Sequence, residues 1–202
     1  MKRLYVALAV ALCLWFVMFS PWTSPLVDFW TAMTLSALVL TGLACAFGGK
    51  PPVKPSLTEI GLGAAIAVLL WMGFWVGDKA SQLLFAFARP QVDLIYGMKS
   101  GHSPLSISLL LLCIIGPAEE IFWRGYVQRT FSQRFTPDLG FLLATACYTL
   151  VHLPSMNFML IMAAMVCGLA WGALYRLIPQ HFTAIVVSHA LWDAAAFVWF
   201  PF

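Results

Sequence analysis

Three polar pairs, each spaced by four positions, stand in the C-terminal half of a chain that is 62% hydrophobic and only 9% charged: Glu120 with Arg124, Tyr148 with His152, and His189 with Asp193. Residues four apart share a helix face, so each pair forms one patch. The first pair also separates two adjacent glutamates, because Arg124 is one turn from Glu120 but on a different face from Glu119. Glu120 is neutralised locally, and Glu119 is the spare carboxylate. Ionisable groups inside apolar helices are costly and mark a functional site by default. A carboxylate in a partly dry cavity suits general acid or base work. A water held between Glu119 and the imidazole of His152 is a nucleophile, and His189 on a third helix can donate to the oxyanion formed on an attacked carbonyl. Tyr148 and Asp193, each one turn from a histidine, would orient the two rings. Such a site hydrolyses an amide without a covalent intermediate.

Other routes to the same chemistry leave marks that this sequence lacks. There is no G-x-S-x-G or comparable glycine-flanked serine in the apolar runs, and neither H-E-x-x-H nor H-x-x-E-H occurs. An aspartyl dyad needs two buried aspartates, and only Asp193 lies well inside an apolar run. A glutamate-histidine site remains, with or without a metal.

The elements that must position these residues are membrane helices. A mean hydropathy of +0.90 over 202 residues implies an all-α, polytopic transmembrane helix bundle. Apolar runs and their punctuation predict about seven helices, over residues 4–20, 26–47, 57–77, 104–128, 139–153, 157–178 and 183–200. The first run follows Lys2 and Arg3 without a small-x-small cleavage site, and reads as a retained anchor. The five cysteines (Cys13, Cys45, Cys113, Cys147 and Cys167) lie in apolar runs without a C-x-x-C pair, as buried small hydrophobes do. With the N-terminus in the cytoplasm, Lys2, Arg3, Lys50, Lys54, Arg124, Arg129, Arg134 and Arg176 fall on or toward the inside, and only Lys79, Arg89 and Lys99 outside. No soluble domain offers a basic face, so a nucleic-acid partner is excluded.

The Gly48–Pro55 stretch is too rich in Gly and Pro to continue a helix. Residues 78–103 read as a segment on the outer membrane surface, interrupted by Pro90. The chain thus divides into N-terminal transmembrane helices with a surface segment (1–103) and a chemistry-bearing set of transmembrane helices (104–202), within one integral membrane domain. The N-terminal spans hold no histidine, and their acids Asp28 and Glu59 sit near span ends. A depth comparison ties the later groups together. At the helical rise, Glu119 lies about 13 Å, His152 about 20 Å, and His189 and Asp193 about 12 and 18 Å from the cytoplasmic ends of their spans.

Glu119-Glu120-x-x-x-Arg124, Tyr148-x-x-x-His152 and His189-x-x-x-Asp193, in this order on successive helices, resemble the three motifs of the CAAX-prenyl-protease and bacteriocin-processing (CPBP, or Abi) intramembrane endopeptidases. The resemblance covers roughly residues 104–196. It implies a multi-helix membrane endopeptidase with its active-site cavity inside the bilayer. Glu119 matches the family's catalytic glutamate and His152 the histidine that helps it activate water. His189 and Asp193 match the oxyanion pair, and Glu120 and Arg124 the supporting residues. Tyr148 stands where phenylalanine is commonest, and Asp193 where the eukaryotic members have asparagine.

A short chain without an appended soluble domain is similar to the bacterial members, which implies a bacterial inner membrane, a lipid bilayer around the protein, and a membrane-associated protein or peptide as substrate. The family was long described as metalloproteases, so Zn²⁺, if used, would fall to Glu119, His152 and His189; no cofactor is otherwise expected. The competing function is a non-catalytic membrane carrier or scaffold, since carriers also place Glu and His near the midplane.

Overall fold

The computed structural model describes all 202 residues and contains helices and no strands. Six helices are long and apolar enough to cross a bilayer: α1 (Lys2–Phe19), α2 (Phe29–Gly48), α3 (Leu57–Leu84), α5 (Pro104–Arg134), α7 (Phe158–Leu177) and α8 (Pro179–Trp199). Two shorter ones, α4 (Ala88–Gly97) and α6 (Pro137–Leu150), complete the chain. It is an integral, multi-pass membrane protein. The expected span over 139–153 is the 14-residue α6. Its length of about 21 Å falls short of the roughly 30 Å hydrocarbon layer.

Helix starts follow local chemistry. Asp28, Ser56, Thr136 and Asn157 each accept a bond from a backbone N–H three residues on, at 2.8, 3.2, 3.2 and 2.9 Å, the arrangement that satisfies orphan donors at an N-terminus. Bonds from Thr31 hold the Asp28 carboxyl below its ordinary range. Two expectations need correction at the outer segment. Residues 78–84 continue α3 rather than lying on the surface, because this stretch contains no helix breaker and Gln82 bonds back to Asp78 at 2.5 Å. Pro90 does not interrupt a helix either; it occupies the first turn of α4, where its missing N–H is not needed.

The ends of the bundle are tied by polar contacts. At one end Arg129 bonds the Gly48 carbonyl, Lys54 N–H donates to Thr183 (2.7 Å), Glu59 meets His181 (2.7 Å) and Arg176 meets Asp138 (2.8 Å). At the other, Gln91 of α4 holds Asn157 and the Met159 N–H at 2.9 and 3.0 Å, and Trp30 donates to the Met98 carbonyl (3.0 Å). α6 starts at the first of these ends, where Asp138 meets Arg176 near the end of α7. α8 is the central helix: 56% of its apolar window is buried, against 11% for α3, whose outward side chains face lipid. α8 packs against α3 and α5, α6 against α7, and α2 against both α1 and α5.

α5 and α8 depart from regular α geometry where the charges sit. α5 contains π-helical turns at Leu111–Ile115 and Trp123–Gln128, on either side of Glu119 and Glu120, and α8 has one at Ala195–Trp199, just past Asp193. Such turns re-aim side chains and occur at functional sites. The first precedes Pro117, which cannot supply the regular backbone bond. Between them Gly116 meets Ala190 so closely that an added Cβ would lie 2.6 Å from the Ala190 Cα. This contact brings the Glu119 turn of α5 against the His189 turn of α8.

Candidate active site

Glu119, Tyr148, His152, His189 and Asp193 all line one cavity of about 640 Å³, whose walls are otherwise mostly apolar. Three helices deliver these and the supporting groups: α5 carries Glu119, Glu120 and Arg124, α6 carries Tyr148 with His152 just past its end, and α8 carries His189 and Asp193. Glu120 and Arg124 lie behind the wall and do not reach it.

The two glutamates differ as their spacing from Arg124 implies. Glu120 is wholly buried, and its Oε1 accepts from Arg124 Nη1 at 2.7 Å. Arg124 donates a second bond to the Cys167 carbonyl (3.0 Å) and lies over the Tyr148 ring. Glu119 instead has a single protein partner, the Tyr148 hydroxyl, which donates to Oε2 at 2.7 Å. Its other oxygen has no protein donor and opens on the cavity.

The histidines are held differently from the sequence expectation. Tyr148 positions His152 through its backbone carbonyl, which accepts from Nδ1 at 2.7 Å, while its hydroxyl serves Glu119. With Nδ1 donating, Nε2 is an acceptor, and the indole N–H of Trp15 on α1 reaches it at 3.2 Å. His189 is oriented on its Nδ1 side by Glu120 Oε1 at 2.5 Å, a second task for a residue expected only to be neutralised by Arg124. Asp193 Oδ1 stands 3.5 Å from Nε2, beyond a close hydrogen bond but within ion-pair range. An acceptor at each nitrogen lets both ring N–H groups donate. Trp171 of α7 stacks flat on the ring, with centroids 4.0 Å apart and planes 12° apart, so its tilt is fixed as well.

These partners bear on the metal question. The protein has no group of three or more His, Cys, Asp and Glu side chains arranged to hold an ion. In the proposed set of Glu119, His152 and His189, Nδ1 of each ring is taken by a protein acceptor, and the remaining Nε2 atoms do not converge with Glu119 on one point. As arranged, the set does not fit a zinc site.

The sequence motifs do not reveal what the N-terminal half supplies. Trp15 contacts His152, and Phe29, Trp30, Met33, Leu69, Phe74 and Asp78 line the cavity. The available signal was weak: a tryptophan in the middle of an apolar run carries an N–H that must find a partner when buried.

Comparison with known proteins gives one match. Residues 101–195 match the family model described as type II CAAX prenyl endopeptidase, Rce1-like. The match spans all three motifs and agrees with the resemblance drawn from them. Neither the curated proteins nor the solved structures gave a match.

Proposed function

We propose that this chain, whose residues 101–195 match the Rce1-like type II CAAX prenyl endopeptidase family model, hydrolyses a peptide bond of a membrane-associated protein or peptide with Glu119 as the base. One observation carries the assignment: of two adjacent glutamates, only Glu119 presents an unpartnered carboxylate oxygen to the cavity that His152 and His189 also line. The Tyr148 hydroxyl fixes one oxygen and leaves the other for a water.

In this reading Glu119 takes a proton from the water, and the resulting hydroxide adds to the scissile carbonyl carbon. His152, held with Nδ1 on the Tyr148 carbonyl, shares that water through Nε2, exchanging its long contact with Trp15. The oxyanion accepts the Nε2–H of His189, whose ring is anchored by Glu120 and flanked by Asp193. Asp193 acts by orienting His189 rather than by donating. The C–N bond then breaks as Glu119 returns its proton to the leaving amine.

The bundle end that carries Lys2, Arg3, Lys50, Lys54, Arg129, Arg134 and Arg176 faces the cytoplasm under the positive-inside rule. Arg124 does not contribute to that count, being buried beside Glu120. The membrane is a bacterial inner membrane, and the reaction is C-terminal or leader processing. The test compares protein and peptide termini by mass spectrometry in membranes carrying wild type or Glu119→Gln. Termini generated by wild type should vanish with the variant, at equal protein levels. Identical termini would refute the peptidase assignment and favour a carrier or scaffold.

A further inference from the structure

Asp78 is a second acid on the same cavity, on a helix outside the motif-bearing half. It is 7% exposed and sits two turns before the end of α3. Its Oδ2 accepts from Gln82 (2.5 Å) and from the half-exposed Lys79 (3.2 Å), both on its own helix. Its Oδ1 is buried and has no donor at all. The donors of neighbouring α4 are engaged elsewhere. Arg89 pairs with Asp93 at 2.6 Å and with the Phe202 carbonyl, and the Tyr96 hydroxyl donates to Ala196 O. A buried carboxylate oxygen left without a donor is costly and calls for an explanation. Beside it, Gly73 and Gly77 line the cavity with open space where a side chain would stand, so the wall is recessed up to Asp78.

We propose that Asp78 is a cation subsite of this cavity, taking an ammonium or guanidinium group carried on an apolar chain. Resting on the peptidase reading, the cation is a basic residue of the substrate. Its place relative to the scissile bond follows from the packing. Phe74, one turn before Asp78, meets Trp192 with ring centroids 4.6 Å apart, and Trp192 adjoins Asp193. Asp78 therefore stands about 6 Å along α3 beyond the level of the His189 and Asp193 turn. An extended chain covers that distance in about two residues, so the basic side chain would lie about two or three positions from the cleaved bond.

Binding can be read without turnover. Purified protein in phosphatidylcholine nanodiscs is titrated with dodecylamine, cationic at neutral pH, or with neutral dodecanol, and Kd is taken from ligand-dependent stabilisation. Wild type should bind the cation about tenfold more tightly. Asp78→Asn should erase that preference while leaving the dodecanol Kd unchanged. Equal affinities on wild type, or a preference that survives Asp78→Asn, would overturn the subsite, and the wild-type comparison stands even if the variant fails to fold. A lysine-bearing apolar peptide should likewise outbind its norleucine counterpart on wild type alone. If phosphatidylethanolamine nanodiscs abolish the cation's advantage, the site holds a lipid headgroup and the substrate assignment is overturned. Failure of the peptidase reading would show separately, in the Glu119→Gln comparison of termini.

Discussion

Arg124→Ala removes the one arginine bonded to a glutamate that is wholly buried. Its guanidinium makes two bonds in the interior, one to Glu120 Oε1 at 2.7 Å and one to the Cys167 carbonyl at 3.0 Å. Breaking a buried pair by deleting one partner costs about 3–5 kcal/mol, because the other charge stays uncompensated. Loss of the second bond, to the Cys167 carbonyl, adds about 1 kcal/mol. His189 remains on Glu120 Oε1 and offsets part of this, leaving a net loss of about 4 kcal/mol, or roughly a thousandfold in the folding equilibrium. Folded proteins hold only about 5–15 kcal/mol in reserve, so the variant should be close to unfolding. The assay is denaturant titration of purified protein in mixed micelles, following tryptophan fluorescence, for Arg124→Ala, Glu120→Gln and the double variant. The double variant should recover at least about half of the loss, since an uncharged glutamine no longer requires the cation. A single variant within about 1 kcal/mol of wild type, or a double variant no more stable than the single, would refute the buried-charge account.

Two further substitutions probe positioning. Trp15→Phe removes the indole donor from His152 Nε2 while keeping an aromatic ring in the core; because the catalytic water takes the place of this contact, turnover should hold or rise with KM unchanged. A fall of about tenfold would show instead that the indole orients the ring during the reaction. Gly116→Val would force its Cβ to within 2.6 Å of the Ala190 Cα. Parting α5 from α8 should cost about 1–3 kcal/mol or more and reduce activity as well. Gly42→Ala, where an added Cβ meets nothing, should be silent in the same denaturation and activity assays. Equal behaviour of the two glycine variants would rule out the close approach of α5 and α8.

The sequence alone determined the class of molecule and which polar residues share a helix face, because both depend on local quantities. Apolar length sets where helices cross a membrane, and the i,i+4 spacing decides which polar residues share a face. Glu120 next to Arg124 could be read this way, and so could the separate standing of Glu119. Contacts between helices are not encoded in spacing, and there the expectation and the structure part. Spacing pairs Tyr148 with the histidine on its own helix face, yet its hydroxyl crosses to α5 and Glu119, and only its carbonyl serves His152. Spacing pairs Glu120 with Arg124 alone, but packing of Gly116 on Ala190 brings α8 close enough for His189 to share the same oxygen. Trp15 and Asp78 belong to a half of the chain without a motif, and only the tertiary fold turns them toward the cavity. Helix faces follow from the order of side chains along one segment. Which faces meet, and at what depth, is decided by close packing among segments distant in sequence, where one glycine or one π-helical turn moves a side chain from one partner to another.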